Sequence, residues 1–247
     1  MPVQEKNTDQ VNILATHFVK RTEGVQKTTA NKTIYISTTG NDSGGNGTSD
    51  NPFATLLHVW NNILPLVVNH TINIQFVDGT YTLASNWDLK QKIGTGTINI
   101  NGNSSSRSSV VISGNSNTYR ILITGCNLYQ VTIKDLTIQN MERVEVDSAR
   151  YINISNIVSK SHTLDGVRFD FGSSGLIANS DFSLNANNGI YGLRGSSIYS
   201  NNNTSTAGNN TLYGLRAAFH GNISKAGASQ PGGATAAENT VSGGSIA

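Results

Sequence analysis

A repeat of about 23 residues is the feature of this sequence that most restricts its fold. Short apolar segments start at Ile121, Val144, Val167 and Ile190, and the interval between successive members is constant. In addition, Gly192-Leu193-Arg194 recurs as Gly214-Leu215-Arg216 at a slightly shorter interval. Short strands that recur at this period, separated by polar turns, are typical of a solenoid in which each coil packs against its neighbours.

A second series of short strands lies between the members of the first. Its members are Val131-Thr132-Ile133, Tyr151-Ile152-Asn153-Ile154, Leu176-Ile177-Ala178 and Ser197-Ile198-Tyr199. About 23 residues per coil suit three short strands, each paired in parallel with its counterpart one coil away, at ~4.8 Å. Helical periodicity is absent between these strands, which disfavours an α/β fold. We therefore predict an all-β fold: a right-handed parallel β-helix, built as a single-stranded solenoid.

The interior and the turns of this solenoid can also be anticipated. Aliphatic side chains at inward positions should form continuous stacks, and the candidates are Ile133, Ile138, Ile152, Ile154 and Ile157. Asn-rich turns such as residues 185–189 tolerate left-handed backbone and can form ladders of side-chain amides between coils.

The composition argues against several classes of partner and cofactor. Charged residues make up 13% of the 247 residues and the formal net charge is +2, which argues against a nucleic-acid partner. The single cysteine, Cys126, excludes an intrachain disulfide and an all-cysteine metal site, and we expect no metal and no other cofactor. We also expect no membrane insertion, because no apolar run reaches the ~20 residues of a transmembrane helix. The first residues lack the basic start and apolar core of a secretory signal.

Residues 1–31 do not share the repeat. We interpret them as an N-terminal attachment arm, in which Leu14 and Phe18 lie four positions apart and would form a small docking face. Residues 32–247 then form the β-helix domain.

A helix is predicted over about residues 55–64. Apolar residues at positions 56, 57, 60, 63 and 64 follow helical spacing and give it one apolar face. Asp50 or Asn51 would cap its start, and Pro65 would end it. Because a solenoid has an open end with unpaired strand edges, this helix would serve as an N-terminal lid.

Several stretches carry a resemblance to a known family. They are Ile34-Tyr35-Ile36-Ser37, Gly47-Thr48-Ser49-Asp50-Asn51-Pro52-Phe53-Ala54-Thr55, Val77-Asp78-Gly79-Thr80-Tyr81-Thr82-Leu83 and Ser229-Gln230-Pro231-Gly232-Gly233-Ala234. Over roughly residues 33–247 the chain resembles pectate-lyase-like right-handed parallel β-helix proteins, many of which are bacteriophage tail spikes and tail fibres. The resemblance implies a homotrimer in the virion tail, assembled in the host cytoplasm. It also implies an arm that contacts other tail or baseplate proteins, and a host surface polysaccharide as receptor.

Carboxylates are the candidates for catalysis, because β-helices that cleave glycans use an acid paired with a base or nucleophile. Asp147 and Asp170 are one repeat length apart and should stack on adjacent coils. Asp165 is a third candidate, because Thr163-Leu164-Asp165-Gly166 is similar to the Asn-Thr-Asp-Gly motif of polygalacturonases. The Asp-Asp pair and the Arg-x-Lys motif of that family are missing. Alternatively, these acids lie on solvated turns and strand faces, and His162 beside Asp165 is either a base or a surface histidine.

Aromatic and arginine side chains are the candidates for glycan binding. Tyr191, Tyr199 and Tyr213 would form a track along one face on which sugar rings stack, accompanied by Arg194 and Arg216. The alternative is that these aromatic residues belong to the core.

Three functions remain open on this fold, which hosts both enzymes and adhesins. We favour a structural and adhesive tail fibre or spike that recognises a host surface glycan. The alternative is a polysaccharide depolymerase, a glycoside hydrolase or lyase, on the same scaffold. A secreted polysaccharide-degrading enzyme is the third, and the absence of a signal disfavours it.

Overall fold

Three parallel β-sheets wind into a solenoid. The structure, a computed structural model, describes residues 25–115 and 118–247. It forms about eight coils of about 23 residues each, and the sheets contain nine, five and seven strands. The predicted all-β parallel β-helix is confirmed.

From β2 (Thr71–Phe76) to β17 (Ser197–Asn201) the chain passes in turn through sheet 1, sheet 2 and sheet 3, and from β17 onward it alternates between sheets 1 and 3. Sheet 1 contains β1 (Lys32–Ile36), β2 (Thr71–Phe76), β5 (Thr97–Asn101), β8 (Gln130–Lys134), β11 (Ile152–Ser155), β14 (Ser174–Ala178), β17 (Ser197–Asn201), β19 (Asn222–Ala226) and β21 (Ser245–Ile246). Sheet 2 contains β3 (Gly79–Thr82), β6 (Val110–Ser113), β9 (Thr137–Gln139), β12 (Val158–Lys160) and β15 (Asp181–Ser183). Sheet 3 contains β4 (Trp87–Leu89), β7 (Ile121–Thr124), β10 (Val144–Asp147), β13 (Val167–Asp170), β16 (Ile190–Leu193), β18 (Tyr213–Ala218) and β20 (Ala236–Val241).

The core lies inside the coils and is built from alternate strand residues. In β8 and β11, Val131 pairs with Ile152 and Ile133 with Ile154, and all four side chains are buried. Each predicted inward isoleucine (Ile133, Ile138, Ile152, Ile154 and Ile157) is at most 4% exposed. Burying one such side chain stabilises the fold by roughly 1.5–3 kcal/mol. The apolar residues recur in the sequence because each coil must place them in these stacks.

Left-handed residues at equivalent positions set the corners of the coils. Asn156, Asn179 and Asn202 follow β11, β14 and β17, and their φ angles are 51°, 52° and 51°. Asparagine adopts this conformation at lower cost than most residues, because its short polar side chain bonds locally. The abundance of Asn in the turns therefore has a backbone cause.

The interior becomes polar in the later coils. Asn185 and Asn210 are fully buried, and the Asn185 Nδ2 donates to the Asn210 Oδ1 over 2.8 Å. The Asn210 Nδ2 in turn donates to the carbonyls of Phe182 (2.9 Å) and Gly232 (2.8 Å). An amide ladder between coils thus exists, as expected for residues 185–189, but it lies inside the solenoid.

The predicted lid helix is present, with a different cap and an irregular second half. It begins as α1 (Leu56–His58) and continues as a π-helical turn, Val59–Ile63. Thr55 is the cap in place of Asp50 or Asn51, because its Oγ1 accepts from the His58 amide over 3.1 Å. Asp42 fastens this start by accepting from the amides of Ala54 (2.8 Å) and Thr55 (3.1 Å).

The lid covers the free edge of sheet 3. Leu56, Val59 and Trp60 are buried, whereas Ile63, the last residue of the π-helical turn, is 36% exposed. The Trp60 Nε1 donates to the Lys90 carbonyl over 2.6 Å, next to β4, the terminal strand of the sheet. The helix therefore covers part of the sheet edge and binds a backbone carbonyl beside it.

The segment ahead of β1 is described from residue 25 onward. Lys27 pairs with Val67 in an isolated bridge, and the Thr28 Oγ1 accepts from the Asn69 amide over 2.9 Å. The end of the predicted arm is thus attached to the solenoid. Leu14 and Phe18 lie outside the described residues.

The repeated Gly-Leu-Arg sequence does not mark equivalent positions. β16 and β18 pair Ile190 with Leu215 and Tyr191 with Arg216, so Arg194 and Arg216 are out of register. The loop between β17 and β18 is longer than its counterparts, which shifts the register relative to the sequence repeat.

The buried amide ladder predicts a large loss of stability in the variant Asn210→Ala. Removing Asn210 leaves the Asn185 amide groups and the Phe182 and Gly232 carbonyls without their buried partner, which should cost about 2–4 kcal/mol. Chemical denaturation followed by circular dichroism measures this loss. The exposed neighbour Asn209 provides the control, and equal stability of Asn209→Ala and Asn210→Ala would contradict the ladder's role.

Candidate functional site

A groove lined by tyrosines runs along the outer face of sheet 1. Tyr129, Tyr151 and Tyr199 are 73%, 58% and 44% exposed, high values for large aromatic side chains. The groove has a volume of about 750 Å³. We call it the tyrosine groove and define it by Tyr129, Gln130, Tyr151, Asn153, Ser174, Leu176, Tyr199 and Ser224.

Strand register builds the floor of the tyrosine groove. Asn153, Leu176, Tyr199 and Ser224 are consecutive partners in β11, β14, β17 and β19, and all four occupy outward positions. With β8, the groove extends over five successive strands, roughly 19 Å at ~4.8 Å per step. The groove is therefore long and follows the solenoid axis.

Turn geometry builds the wall of the tyrosine groove. Tyr151 has a φ of 58° and directly precedes β11. This left-handed backbone is uncommon for an aromatic residue and turns the side chain away from the coil interior. Tyr129 directly precedes β8 and is the most exposed of the three tyrosines.

Polar groups accompany the aromatic rings. Gln130, Asn153 and Ser174 line the groove beside Tyr151. The Asn153 Oδ1 is covered by its surroundings and accepts no hydrogen bond from the described residues. A covered acceptor without a partner costs free energy, so a hydroxyl donor that reached it would be bound favourably.

Arginines and carboxylates form an ion-pair cluster on the outer face of sheet 3. Glu145 accepts from Arg120 (3.0 Å) and Arg143 (3.1 Å). Asp170 accepts from Arg168 and from Arg194, whose Nε lies 2.7 Å from the Asp170 Oδ1. The acids of this face are thus occupied by neighbouring side chains.

Asp147 and Asp170 lie in register on adjacent strands, as their separation by one repeat predicts. They do not share a site, because Asp170 is fully buried by its arginines, while Asp147 is half-buried and accepts from the Ser148 hydroxyl over 2.7 Å. Burial alone would raise the pKa of Asp170, but hydrogen bonds from Arg194 and Arg168 outweigh it and hold the pKa below its ordinary value. A general acid for glycoside cleavage needs the opposite shift.

Asp165 lies inside the solenoid. It is 3% exposed, and its Oδ1 accepts from the Asn188 amide (3.2 Å) and Nδ2 (2.6 Å). Burial raises the pKa of Asp165, and the hydrogen bonds from Asn188 offset part of the rise. This side chain connects two coils and does not face solvent.

His162 is buried, so the surface alternative is wrong for it. Its Nε2 lies 2.9 Å from the Ser159 Oγ, which itself donates to the Gly166 carbonyl over 2.9 Å. The Ser159 hydroxyl has one proton, so His162 is the donor in their contact, the reverse of a histidine that activates a serine. Burial lowers the pKa of His162 to about 3.

The candidate glycan-binding residues fall on different faces. Tyr199 belongs to the tyrosine groove on sheet 1, whereas Tyr191, Tyr213 and Arg216 lie on sheet 3. Arg194, beyond the end of β16, stacks over the ring of Phe171 with its Cζ 3.8 Å from the centroid. A single track along one face is therefore not formed.

Two residues of the tyrosine groove, Tyr129 and Tyr151, are missing from the candidates that the sequence provides. Each directly precedes a strand of sheet 1, and these two strands, β8 and β11, are partners in successive coils. Tyrosine at the start of the strand in two successive coils, one position apart in register, was the available signal.

Among residues 25–115 and 118–247, no group of three or more His, Cys, Asp or Glu side chains is arranged to hold a metal ion. In the same part of the chain, no helix is long and apolar enough to cross a membrane.

Comparisons with protein-family models, with curated proteins and with solved structures found no significant match.

The buried state of His162 predicts a specific loss of stability in acid. Between the ordinary pKa of about 6.5 and the folded pKa of about 3, the unfolded chain binds a proton that the folded chain does not. The free energy of unfolding therefore falls by up to about 1.4 kcal/mol per pH unit of acidification in this window. Replacing His162 by Gln removes this component.

The measurement is chemical denaturation of the wild type, His162→Gln and His220→Gln at pH 7 and pH 4.5. We expect the stability advantage of the wild type over His162→Gln to shrink by on the order of 2 kcal/mol between these pH values. His220 is exposed and serves as the control. An advantage of the wild type that stays constant with pH would contradict a neutral, buried His162.

Proposed function

We propose that this protein is a glycan-binding β-helix of the bacteriophage tail-fibre or tail-spike type, which attaches to a host surface polysaccharide without cleaving it. The observation that carries the binding proposal is the tyrosine groove, in which Tyr129, Tyr151 and Tyr199 expose their rings beside hydrogen-bonding side chains. Sugar rings combine apolar C–H faces with hydroxyl groups, and this mixture of surfaces complements both.

The shape of the groove favours a polymer over a small molecule. Five successive strands contribute to it, and it stays open along its length. Parallel strand pairing fixes the relative positions of the tyrosines, so little backbone entropy is lost when a ligand binds. A short stretch of polysaccharide that lies along the solenoid axis would contact several rings at once.

The state of the acids supports adhesion over cleavage. Asp170 is held by two arginines, and Asp165 is buried between coils. Asp147, the more accessible of the three, has no second free carboxylate in register, because its partner across the strand pair is Asp170. The paired carboxylates that glycoside hydrolysis requires are therefore not offered by these three acids.

The resemblance to tail-spike and tail-fibre proteins supports a place in the virion. On this proposal the chain forms a homotrimer in the phage tail, and residues 1–31, with Leu14 and Phe18, contact another tail or baseplate protein.

Mutations in the tyrosine groove should weaken polysaccharide binding. An array of bacterial capsular and O-antigen polysaccharides identifies the glycans bound by the wild type. We expect Tyr151→Ala and Tyr199→Ala each to lower the affinity about tenfold, because each removes one stacking platform. Tyr35→Ala is the matched control, since Tyr35 belongs to β1 of the same sheet and lies outside the groove.

For a polysaccharide that the wild type binds, two results would contradict the proposal. One is unchanged affinity in both groove variants. The other is the release of new reducing ends or unsaturated products from the bound polysaccharide, which would indicate a depolymerase.

The proposed assembly predicts the mass in solution. Light scattering should give three times the 26.3 kDa of one chain, at concentrations where the protein remains fully folded by circular dichroism. A mass of 26.3 kDa that persists at high concentration would contradict the trimer and leave glycan binding as a property of the single chain.

A further inference from the structure

Arg216 differs from the arginines of the ion-pair cluster on sheet 3. Arg120 and Arg143 contact Glu145, and Arg168 and Arg194 contact Asp170. Among the described residues, Arg216 has no carboxylate within 4.0 Å, which sets it apart from these four arginines. Its Nε, like those of Arg120 and Arg168, is covered without a hydrogen-bond partner. A charged donor in this state is complementary to an anion.

Two tyrosines hold the guanidinium of Arg216. Its Cζ lies 5.1 Å from the ring centroid of Tyr191 and 5.7 Å from that of Tyr213. Strand register fixes the first contact, because Tyr191 and Arg216 are direct partners in β16 and β18. Contact with two rings restricts the side chain, so less conformational entropy is lost when it binds a ligand.

The nearby acids do not neutralise Arg216. Beyond Tyr191, the next residue in the same outward column is Arg168, which is already paired with Asp170. The positive charge of Arg216 is therefore available to a ligand. A guanidinium offers two parallel N–H donors, which match the two oxygens of a carboxylate. The adjacent tyrosine rings supply the apolar surface on which a sugar ring can stack.

We propose that Arg216, held by Tyr191 and Tyr213, is a subsite for the carboxylate of an acidic sugar. This inference rests on the proposed glycan-binding function and deepens it. It specifies that the recognised polysaccharide contains uronic acids or other carboxylated residues. It also places a second contact surface on sheet 3, apart from the tyrosine groove on sheet 1.

The test compares an acidic polysaccharide with the same polysaccharide after chemical reduction of its carboxyl groups to alcohols. The acidic capsular polysaccharide that the array shows to bind best is the probe, and affinity is measured by biolayer interferometry. We expect reduction of the carboxyl groups to lower the affinity of the wild type roughly ten- to a hundredfold, as for the loss of a charged hydrogen bond.

Variants of Arg216 test whether the dependence on the sugar carboxylate arises at this residue. Arg216→Ala should lose the same factor toward the acidic form and change little toward the reduced form, whereas Arg216→Lys should lose less. Lys90→Ala is the control for net charge, because Lys90 is exposed and follows β4 at the opposite end of sheet 3. Competition with acetate and with phosphate, each at equal ionic strength, distinguishes a sugar carboxylate from a site for any small anion.

The outcomes separate the two proposals. If the wild type binds no polysaccharide on the array, the proposed function fails and this inference falls with it. If it binds equally before and after carboxyl reduction, or if Arg216→Ala binds like Lys90→Ala, glycan binding stands and the Arg216 subsite is overturned. Full displacement of the polysaccharide by millimolar acetate or phosphate would likewise overturn a site specific for an acidic sugar. The comparison of acidic and reduced forms on the wild type decides the question even if Arg216→Ala fails to fold.

Discussion

Parallel pairing of each strand with its counterpart one coil away is the interaction on which the rest of this structure depends. The pairing requires every coil to return to the same place, which typically takes about 23 residues and takes more in the first coils. Corners are therefore repeated too, and Asn156, Asn179 and Asn202 adopt the same left-handed backbone at one of them. Stacked positions force like side chains together, which is favourable for isoleucines and amides and unfavourable for charges. The surface chemistry of the protein follows from this constraint.

The ion-pair cluster on sheet 3 shows how stacked charges are accommodated. Asp147 and Asp170 are direct partners, and two carboxylates at that spacing would repel each other. Arg168 and Arg194 neutralise Asp170, so this carboxylate contributes to the cohesion of the coils. The tyrosine groove lies on a different sheet, away from these ion pairs. The three groove tyrosines are thus separated from the charged side chains that hold the coils of sheet 3 together.

The sequence predicted what depends on apolar periodicity: the coil length, the inward isoleucines and the pairing of Asp147 with Asp170. It did not predict what depends on backbone turns or on the polar interior. Tyr151 faces outward because of its left-handed φ, which no apolar pattern encodes. His162 was open to a surface role because it lies in a polar stretch, yet the later coils bury polar side chains that bond to one another. The tyrosine groove was therefore only partly predictable: Tyr199 was among the predicted residues, whereas Tyr129 and Tyr151 were not.

In the proposed binding mode, sugar rings occupy the tyrosine groove. The most direct measurement is NMR of the protein with 13C-labelled tyrosine rings, titrated with a fragment of a polysaccharide that it binds. We expect saturable shifts of the Tyr129, Tyr151 and Tyr199 ring signals, while Tyr81, buried beside the first coil, stays unchanged. A titration that saturates without moving the three groove signals would contradict binding in the tyrosine groove.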